Sequence, residues 1–399
     1  MKNGAVCVGM IGLGMRGISL LKDILNGKQL AEIVCLCDTS SENLAAAKAE
    51  ITSKEKIVPF VSSDYHEVLS HPDVDAVIIS TGWESHVQIA CEALACGKIV
   101  GCEVSGAYSI EDCWKLVRAY EETHTPIMLL ENCCYARDEL MLFNMVQQGV
   151  FGELVHCQGG YRHDIRSLCV DDNGAEHFRM KHFSVRNCDY YPTHDLGPIA
   201  KLLKIGKGNR FVSLISVASK SVGLTDYAIR KKGRNAPESK LRIVQGDVVT
   251  TIIKCAGGET ITLFLDTTLP RFYSRGLQVQ GTRAMYCEDN RSIFFDDEHK
   301  EFDNKWNTHW GNVEEYRNQY EHPIWRDFLE EKQKGGHGGM DRLMLDAFFT
   351  AIRTGAKMPI DVYDMAEWKC VSVLSEQSIL TGGGVQYFPD FRNGNWVMG

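Results

Sequence analysis

The segment that most constrains this chain runs from Ala5 to Gly27. "AVCVGMI" is a short apolar run that ends in Gly12-Leu13-Gly14-Met15-Arg16-Gly17, a Gly-x-Gly-x-x-Gly. "ISLLKDILNG" follows, with Ile18, Leu21 and Leu25 at helical spacing and Gly27 as the stop. A second apolar run, "AEIVCLCD", closes on Asp38, about 20 residues beyond the loop. Strand, glycine loop, helix and second strand in this order leave few folds open. Gly12 permits a tight turn, Gly14 lets a backbone approach a phosphate, and Gly17 permits close helix–strand packing. Amides at the start of a helix attract an anion there.

The alternation continues. "SENLAAAKAEI" is rich in helix formers behind a Ser cap, and "VDAVIIS" is a third strand. "ESHVQIACEALACG", "KIVGCEV", "SIEDCWKLVRAYEETH" and "PIMLLEN" extend the pattern to Asn132. Helices alternating with short apolar strands call for a doubly wound parallel sheet, covered on both faces. We therefore assign residues 1–131 to an α/β Rossmann domain that binds a dinucleotide. Asp38 would accept hydrogen bonds from the adenosine ribose and repel a 2′-phosphate, which selects NAD over NADP. "STGWESH", "CEVSGAY" and "ENCCYARDE" each follow a strand and should line the cofactor cleft.

Beyond Asn132 the texture changes. "RDELMLFNMVQQGVFG" reads as a helix, and "ELVHCQGGYRHDIR" as a strand with polar residues at its far end. "RFVSLISVASK", "GDVVTTIIKCAGGETITLFLDTTL" and "GLQVQGTRAMYCEDNRSIFFD" are long and β-rich, the second turning at Ala256-Gly257-Gly258. "YAIRKKGRNAPESKLR" is basic without periodicity and reads as an exposed loop. "DRLMLDAFFTAIRTG" and "DMAEWKCVSVLSEQSIL" read as helices. Residues 132–399 thus form an α+β domain with a large, mostly antiparallel open sheet, for substrate binding and oligomerisation.

The formal net charge of -9 argues against a nucleic-acid binder, which needs a basic face. No apolar run is long enough to span a membrane. The N-terminus enters a strand almost at once, with no separate apolar leader. The 15 Cys are odd in number, scattered, and lack a C-x-x-C pair. They read as small buried hydrophobes in a reducing compartment, and we expect a cytoplasmic protein with no metal. His163, His177, His182 and His194 with Asp164 match no tight metal-ligand spacing.

The polar knot "NCDYYPTHDLGPIA" sits at the start of a helix in the second domain. A nicotinamide enzyme needs a base to take a hydroxyl proton as hydride leaves carbon. His194 is a candidate for that role, because an unperturbed imidazole titrates near neutrality. Tyr161, Tyr191 and Tyr273 could also transfer protons if a neighbouring cation lowered theirs. Nothing singles out a pair of carboxylates for ordinary glycoside hydrolysis.

Taken together, "GLGMRG", "ENCCYARDELMLFNMVQQGVFGEL", "YPTHDLGPIA", "DTTLPRFYSRGLQVQGT" and "GHGGMD" carry a resemblance over most of the chain. It resembles the glucose–fructose oxidoreductase and inositol dehydrogenase superfamily. More narrowly, it is similar to the NAD-dependent α-N-acetylgalactosaminidases of glycoside hydrolase family 109. The resemblance implies that Gly12, Gly14, Met15, Arg16, Gly17, Asp38, Trp83, Glu84, Ser85, His86, Glu103, Val104 and Asn132 meet the cofactor. It implies that Tyr161, Arg179 and Tyr273 bind a sugar. Tyr191, Pro192, Thr193 and His194 would bind the sugar as well, with Tyr191 also meeting the nicotinamide. His194, Tyr191 and Tyr161 would be catalytic.

The implied reaction is a redox relay: oxidation at sugar C3, loss of the C2 proton, elimination at C1, addition of water and re-reduction. Two departures stand out. Asp195 occupies a position where those glycosidases carry Gly. Val104 stands where the sugar dehydrogenases carry the Lys of a Glu-Lys-Pro, so a simple dehydrogenase would lack its usual proton handler. The alternatives are an NAD-dependent sugar or cyclitol dehydrogenase, and a non-catalytic NAD-binding sensor. The expected partners are a small sugar or glycoside and further copies of the chain, as a dimer or tetramer.

Overall fold

The structure, a computed structural model, describes residues 4–54, 59–105, 107–172, 177–299 and 307–398. Gly106, in the "CEVSGAY" segment, lies outside the described residues. The chain divides into two compact units. The first comprises Met1–Arg137 and Pro323–Lys369, the second Asp138–His322 and Cys370–Gly399. Chain order alone put everything after residue 131 in one domain. By contact, however, 323–369 pack with the N-terminal unit. The helix Met340–Thr354 lies against the helix Met15–Leu25 and β1, contacts far apart in sequence.

The first unit holds β1 (Val6–Ile11), β2 (Ala31–Cys37), β3 (Phe60–Ser62), β4 (Ala76–Ile79), β5 (Ile99–Cys102) and β6 (Ile127–Leu129). They lie in the order β3-β2-β1-β4-β5-β6, all parallel. This is the doubly wound sheet the alternation predicts, and its order reverses between β1 and β4. Val8, Met10, Ile33, Ile78 and Leu129 are fully buried, as strands covered on both faces require. The helix Ser41–Lys54 does begin behind a Ser cap, since Ser40 Oγ accepts the Asn43 N–H at 3.3 Å.

The second unit holds β7 (Leu154–Arg162), β8 (Phe211–Ala218), β9 (Val248–Cys255), β10 (Thr260–Asp266), β11 (Gln278–Gly281), β12 (Ala284–Cys287), β13 (Ser292–Phe295) and β14 (Gln386–Tyr387). Their order is β13-β12-β11-β7-β10-β9-β8-β14. Every pairing is antiparallel except β7 with β10, where Tyr161 stands opposite Leu265. The predicted hairpin joins β9 to β10, with Gly258 at φ 106 in its turn. The helix Thr193–Leu202 packs on β7.

One expectation fails. The basic segment read as a loop is mostly helical, over Gly223–Lys232 and Pro237–Lys240. Leu224 and Ala228 are buried one turn apart, and Asp226 pairs with Arg230 at 2.8 Å. Arg230, Lys231 and Lys232 fall in the last turn, where cations favour the helix dipole. The apolar stripe is only two residues wide, too thin for periodicity to reveal.

Candidate active site

In the first unit the glycine loop joins β1 to the helix Met15–Leu25. Gly12 has φ +90, and a Cβ there would stand 2.6 Å from the backbone of Ser80 and Thr81 at the end of β4. Ser80 Oγ donates to the Gly12 carbonyl at 2.7 Å. A Cβ on Gly17 would come within 2.1 Å of that same carbonyl oxygen. Gly14 differs, because a Cβ there would meet nothing within 4 Å. Packing does not demand glycine at this position, but the approach of a ligand would. No side chain caps the helix at Gly14, and its first turn carries no acid. An uncapped helix start beside open space fits a dinucleotide's pyrophosphate.

Asp38 stands where expected, at the end of β2. Its carboxylate accepts the N–H groups of Leu13 at 2.6 Å and Ser40 at 2.8 Å, and the Asn43 amide at 3.2 Å. It therefore ties the glycine loop to the second strand. Trp83, Glu84 and Ser85 form a 3₁₀ turn behind β4, with Trp83 buried and Glu84 exposed. Ser85 Oγ donates to the Gly82 carbonyl at 2.9 Å. His86 is buried, with one ring nitrogen 3.1 Å from the Thr81 carbonyl. Its Nδ1 has no hydrogen-bond partner among the described residues. Burial, then the nearby charge of Lys369, pushes its pKa down to about 3, so the ring is neutral.

Glu103 and Val104 follow β5 and are buried. Glu103 pairs with Arg16 at 2.8 Å. Arg16 also reaches Asp341 at 2.7 Å, and Asn132 donates to the other oxygen of Asp341 at 2.7 Å. Thus Arg16 and Asn132, distant in sequence, meet on the buried carboxylate of Asp341, and Arg16 links it to Glu103. Sequence reasoning missed Asp341 and its neighbour His337, although "GHGGMD" was among the segments that carried the resemblance. It also missed Lys369, a buried lysine whose Nζ lies 3.4 Å from the Glu103 carbonyl.

In the second unit an aromatic cluster gathers at the end of β7. The rings of Tyr161 and Tyr191 have centroids 4.4 Å apart. His194 meets Tyr161 at 5.5 Å and Tyr191 at 4.8 Å, both edge-on. His163 extends the row, 2.9 Å from the Tyr161 hydroxyl through Nδ1 and 5.1 Å from the ring of Tyr273. Tyr161 is buried and Tyr273 exposed, so the row leads outward. Arg179, on the helix Phe178–Val185, has its guanidinium 4.8 Å from the Phe178 ring. Burial and then the charge of Arg179 lower the pKa of His163.

The polar knot divides in two. Its first part anchors the chain: Asn187 accepts the Gly246 N–H at 2.9 Å, and Gln245 bridges Cys188. The Asp189 N–H donates to Ser375 at 2.8 Å, and the Tyr190 hydroxyl to Thr267 at 2.8 Å. Its second part lies at the aromatic cluster. Pro192 caps the helix Thr193–Leu202, and Tyr191 and His194 join the aromatic cluster. Thr193 is buried, and its hydroxyl has no hydrogen-bond partner among the described residues. Of the histidines weighed as a metal set, His163 and His194 both border Tyr161, while His182 faces Tyr190 at 5.6 Å. Sequence reasoning weighed His163 only in that set and missed it as the partner of Tyr161.

Residues 6–130 match the family described as an oxidoreductase family with an NAD-binding Rossmann fold. Residues 135–398 match the C-terminal domain of glycosyl hydrolase 109. The chain belongs to glycoside hydrolase family 109. A family 109 protein of Stenotrophomonas maltophilia is 38% identical to it, over 98% of this chain and 90% of that one. An α-N-acetylgalactosaminidase of Tannerella forsythia is 37% identical, over 99% and 88%. Among solved structures, levoglucosan dehydrogenase in complex with NADH and L-sorbose shares the fold, at TM-score 0.74 and 18% identity. That likeness covers 97% of this chain and 100% of that one. This family 109 enzyme therefore carries an NAD-binding Rossmann domain, and NAD is its cofactor. No helix among the described residues is long and apolar enough to cross a membrane.

Proposed function

We propose that this enzyme hydrolyses an α-N-acetylgalactosaminide or a related α-glycoside, without net consumption of NAD. The first unit would hold the dinucleotide through the Gly12–Gly17 loop with Met15 and Arg16, through Asp38, through Trp83, Glu84, Ser85 and His86, and through Glu103, Val104 and Asn132. When bound, NAD supplies an acceptor for hydride from the sugar and later returns it.

The second unit would grip the sugar with Tyr161, Arg179, Tyr191, Pro192, Thr193, His194 and Tyr273. Aromatic walls suit the apolar faces of a sugar ring, and the buried Thr193 hydroxyl has no hydrogen-bond partner among the described residues. The Tyr161 hydroxyl with His163 forms a proton-holding pair. His163, neutral under the influence of burial and Arg179, can accept the phenolic proton and give it back. His194 stands against both tyrosines to move a second proton, and Tyr191 orients the ring. The observation that carries the reading is this row of Tyr161, His163, Tyr191 and His194, in a chain that belongs to the family.

The test is turnover of aryl glycosides in D₂O. The relay yields a sugar deuterated at C2 with no accumulation of NADH. Rising NADH with C2 unlabelled would establish instead an NAD-dependent sugar dehydrogenase.

Two further readings belong with this one. Eleven of the fifteen cysteines are buried, which suits a cytoplasmic protein. One face of the second unit's sheet exposes Ile215 and Val217 on β8, Ile252 on β9 and Tyr387 on β14. The registers align these residues, and such a face suits pairing with another copy of the chain. Sedimentation of the purified protein as a monomer at micromolar concentration would refute the oligomer.

A further inference from the structure

A pyrophosphate needs positive charge as well as amide groups. Arg16, in the first turn of the helix that opens at Gly14, is the obvious source. Its charge is already committed. Nε meets Glu103 at 2.8 Å and Nη1 meets Asp341 at 2.7 Å. One guanidinium between two carboxylates leaves the group net negative, and an incoming phosphate would be repelled.

The missing charge is close by. Nδ1 of His337 lies 2.7 Å from the same oxygen of Asp341, and 3.5 Å from Arg16 Nη1. A carboxylate only accepts, so Nδ1 carries the hydrogen and Nε2 is left to titrate. The Asp341 side chain is wholly buried, but that of His337 is 57% exposed. Protonated, His337 brings the group of Arg16, His337, Glu103 and Asp341 to neutrality.

The chain also accepts strain to place it. His337 sits at φ 48, ψ 45, left-handed for a residue with a Cβ, between Gly336 and Gly338. A Cβ on Gly336 would come within 2.5 Å of Asp341 and 2.7 Å of Asp23. Asp23 accepts the Gly336 N–H at 2.9 Å and so pins the turn.

We propose that His337 is a cofactor-binding residue: held by Asp341 beside Arg16, its imidazolium supplies the positive charge met by the NAD pyrophosphate at the Gly12–Gly17 loop. The inference rests on NAD being the cofactor. The charged groups around His337 are Asp341 on the following helix, Arg16 on the helix Met15–Leu25, and Glu103 behind β5. Asp23 and Arg342 flank the turn. Asp341 and Glu103 raise its pKa, while burial and Arg16 oppose them. Binding of NAD is then linked to a proton: affinity falls as rising pH removes it, and the protein takes up protons as NAD binds.

The experiment is calorimetric titration of NAD⁺ into the full-length protein stripped of dinucleotide, from about pH 6 to about pH 9, in buffers of different ionisation heat. His337→Asn keeps a donor for Asp341, tolerates the left-handed backbone and cannot become charged. Wild type should take up protons and weaken as pH rises. His337→Asn should bind about 10- to 100-fold more weakly at the acid end, with no pH dependence and no proton uptake. His337→Gly, which relieves the strain, carries the same expectation should the Asn variant unfold. Variants that keep the affinity and the proton uptake of wild type would overturn the role of His337. Wild type that binds no NAD⁺ at any pH would overturn the cofactor assignment, and this inference with it.

Discussion

The Tyr161 hydroxyl lies 2.9 Å from Nδ1 of His163, two residues further along the chain at the end of β7. A neutral imidazole can accept from that hydroxyl, and a protonated one cannot. Burial and Arg179 hold the pKa of His163 below its ordinary value. The pair should therefore stay intact at neutral pH, and activity should fall only as pH drops through that lowered pKa, below about 6.5. Tyr161→Phe should reduce kcat/KM by about 10²–10⁴-fold. His163→Asn offers an acceptor that does not titrate, and should shift the acid limb of the pH–rate profile. An unchanged limb would assign it to another group.

Gly14 and Gly17 lie in one loop but make opposite predictions. Gly17→Ala drives a Cβ to 2.1 Å from the Gly12 carbonyl, and should cost about 1–3 kcal/mol of stability. Gly14→Ala meets nothing within 4 Å, so its melting temperature should hold or rise slightly. Yet Gly14→Ala should weaken NAD binding, because its methyl fills the space a pyrophosphate needs. Thermal melts and NAD titrations of the two variants separate packing from binding. Equal affinity in Gly14→Ala and wild type would refute the pyrophosphate position.

Asp38 binds Leu13 of the glycine loop as well as facing the adenosine ribose in the proposed complex. Asp38→Ser removes the negative charge that would repel a 2′-phosphate. It should lower the preference for NAD over NADP by about tenfold, or about 1.4 kcal/mol. It should also weaken NAD itself through loss of the loop anchor. Dissociation constants for both cofactors check this, and a wild type that prefers NADP would reverse the reading.

What the sequence reveals follows the range of the forces involved. The first sheet, the glycine loop and the hairpin at Ala256–Gly258 are local patterns, where periodicity and turn chemistry suffice. The helix Gly223–Lys232 is obscured because only Leu224 and Ala228 turn inward. Asp341 is hidden for another reason. It acts on Arg16 and Asn132 from more than 200 residues away, and no local spacing encodes such a contact. His163 is visible in "GYRHDIR", but only the end of β7 shows that it faces the Tyr161 hydroxyl. The notable polar residues of "NCDYYPTH" proved half scaffold, since Asn187 to Tyr190 spend their hydrogen bonds on anchoring.

Asp195, which the sequence resemblance sets against a Gly, gives a final prediction. Its side chain sits against Gly159 of β7, where a Cβ would stand 2.6 Å from its own Cβ. It is 1% exposed, accepts the Gly160 N–H, and its Oδ2 has no hydrogen-bond partner among the described residues. Burial raises its pKa far above the ordinary value. Arg275 opposes this, while Glu288 and Glu139 add to it. Glu139, also buried, is pushed up to about 7. An acid whose pKa is higher in the folded state binds more protons folded than unfolded between the two values. Stability therefore falls as pH rises from about 4 toward the folded pKa, by up to about 1.4 kcal/mol per pH unit for each such group. Asp195→Asn cannot ionise and should lose its share of that slope, leaving the parts due to Glu139 and to Asp189, which burial also pushes up to about 7. Urea unfolding of wild type and Asp195→Asn between about pH 4 and about pH 7 measures both slopes. Parallel slopes would mean that the Asp195 carboxyl is ionised in the folded protein despite its burial.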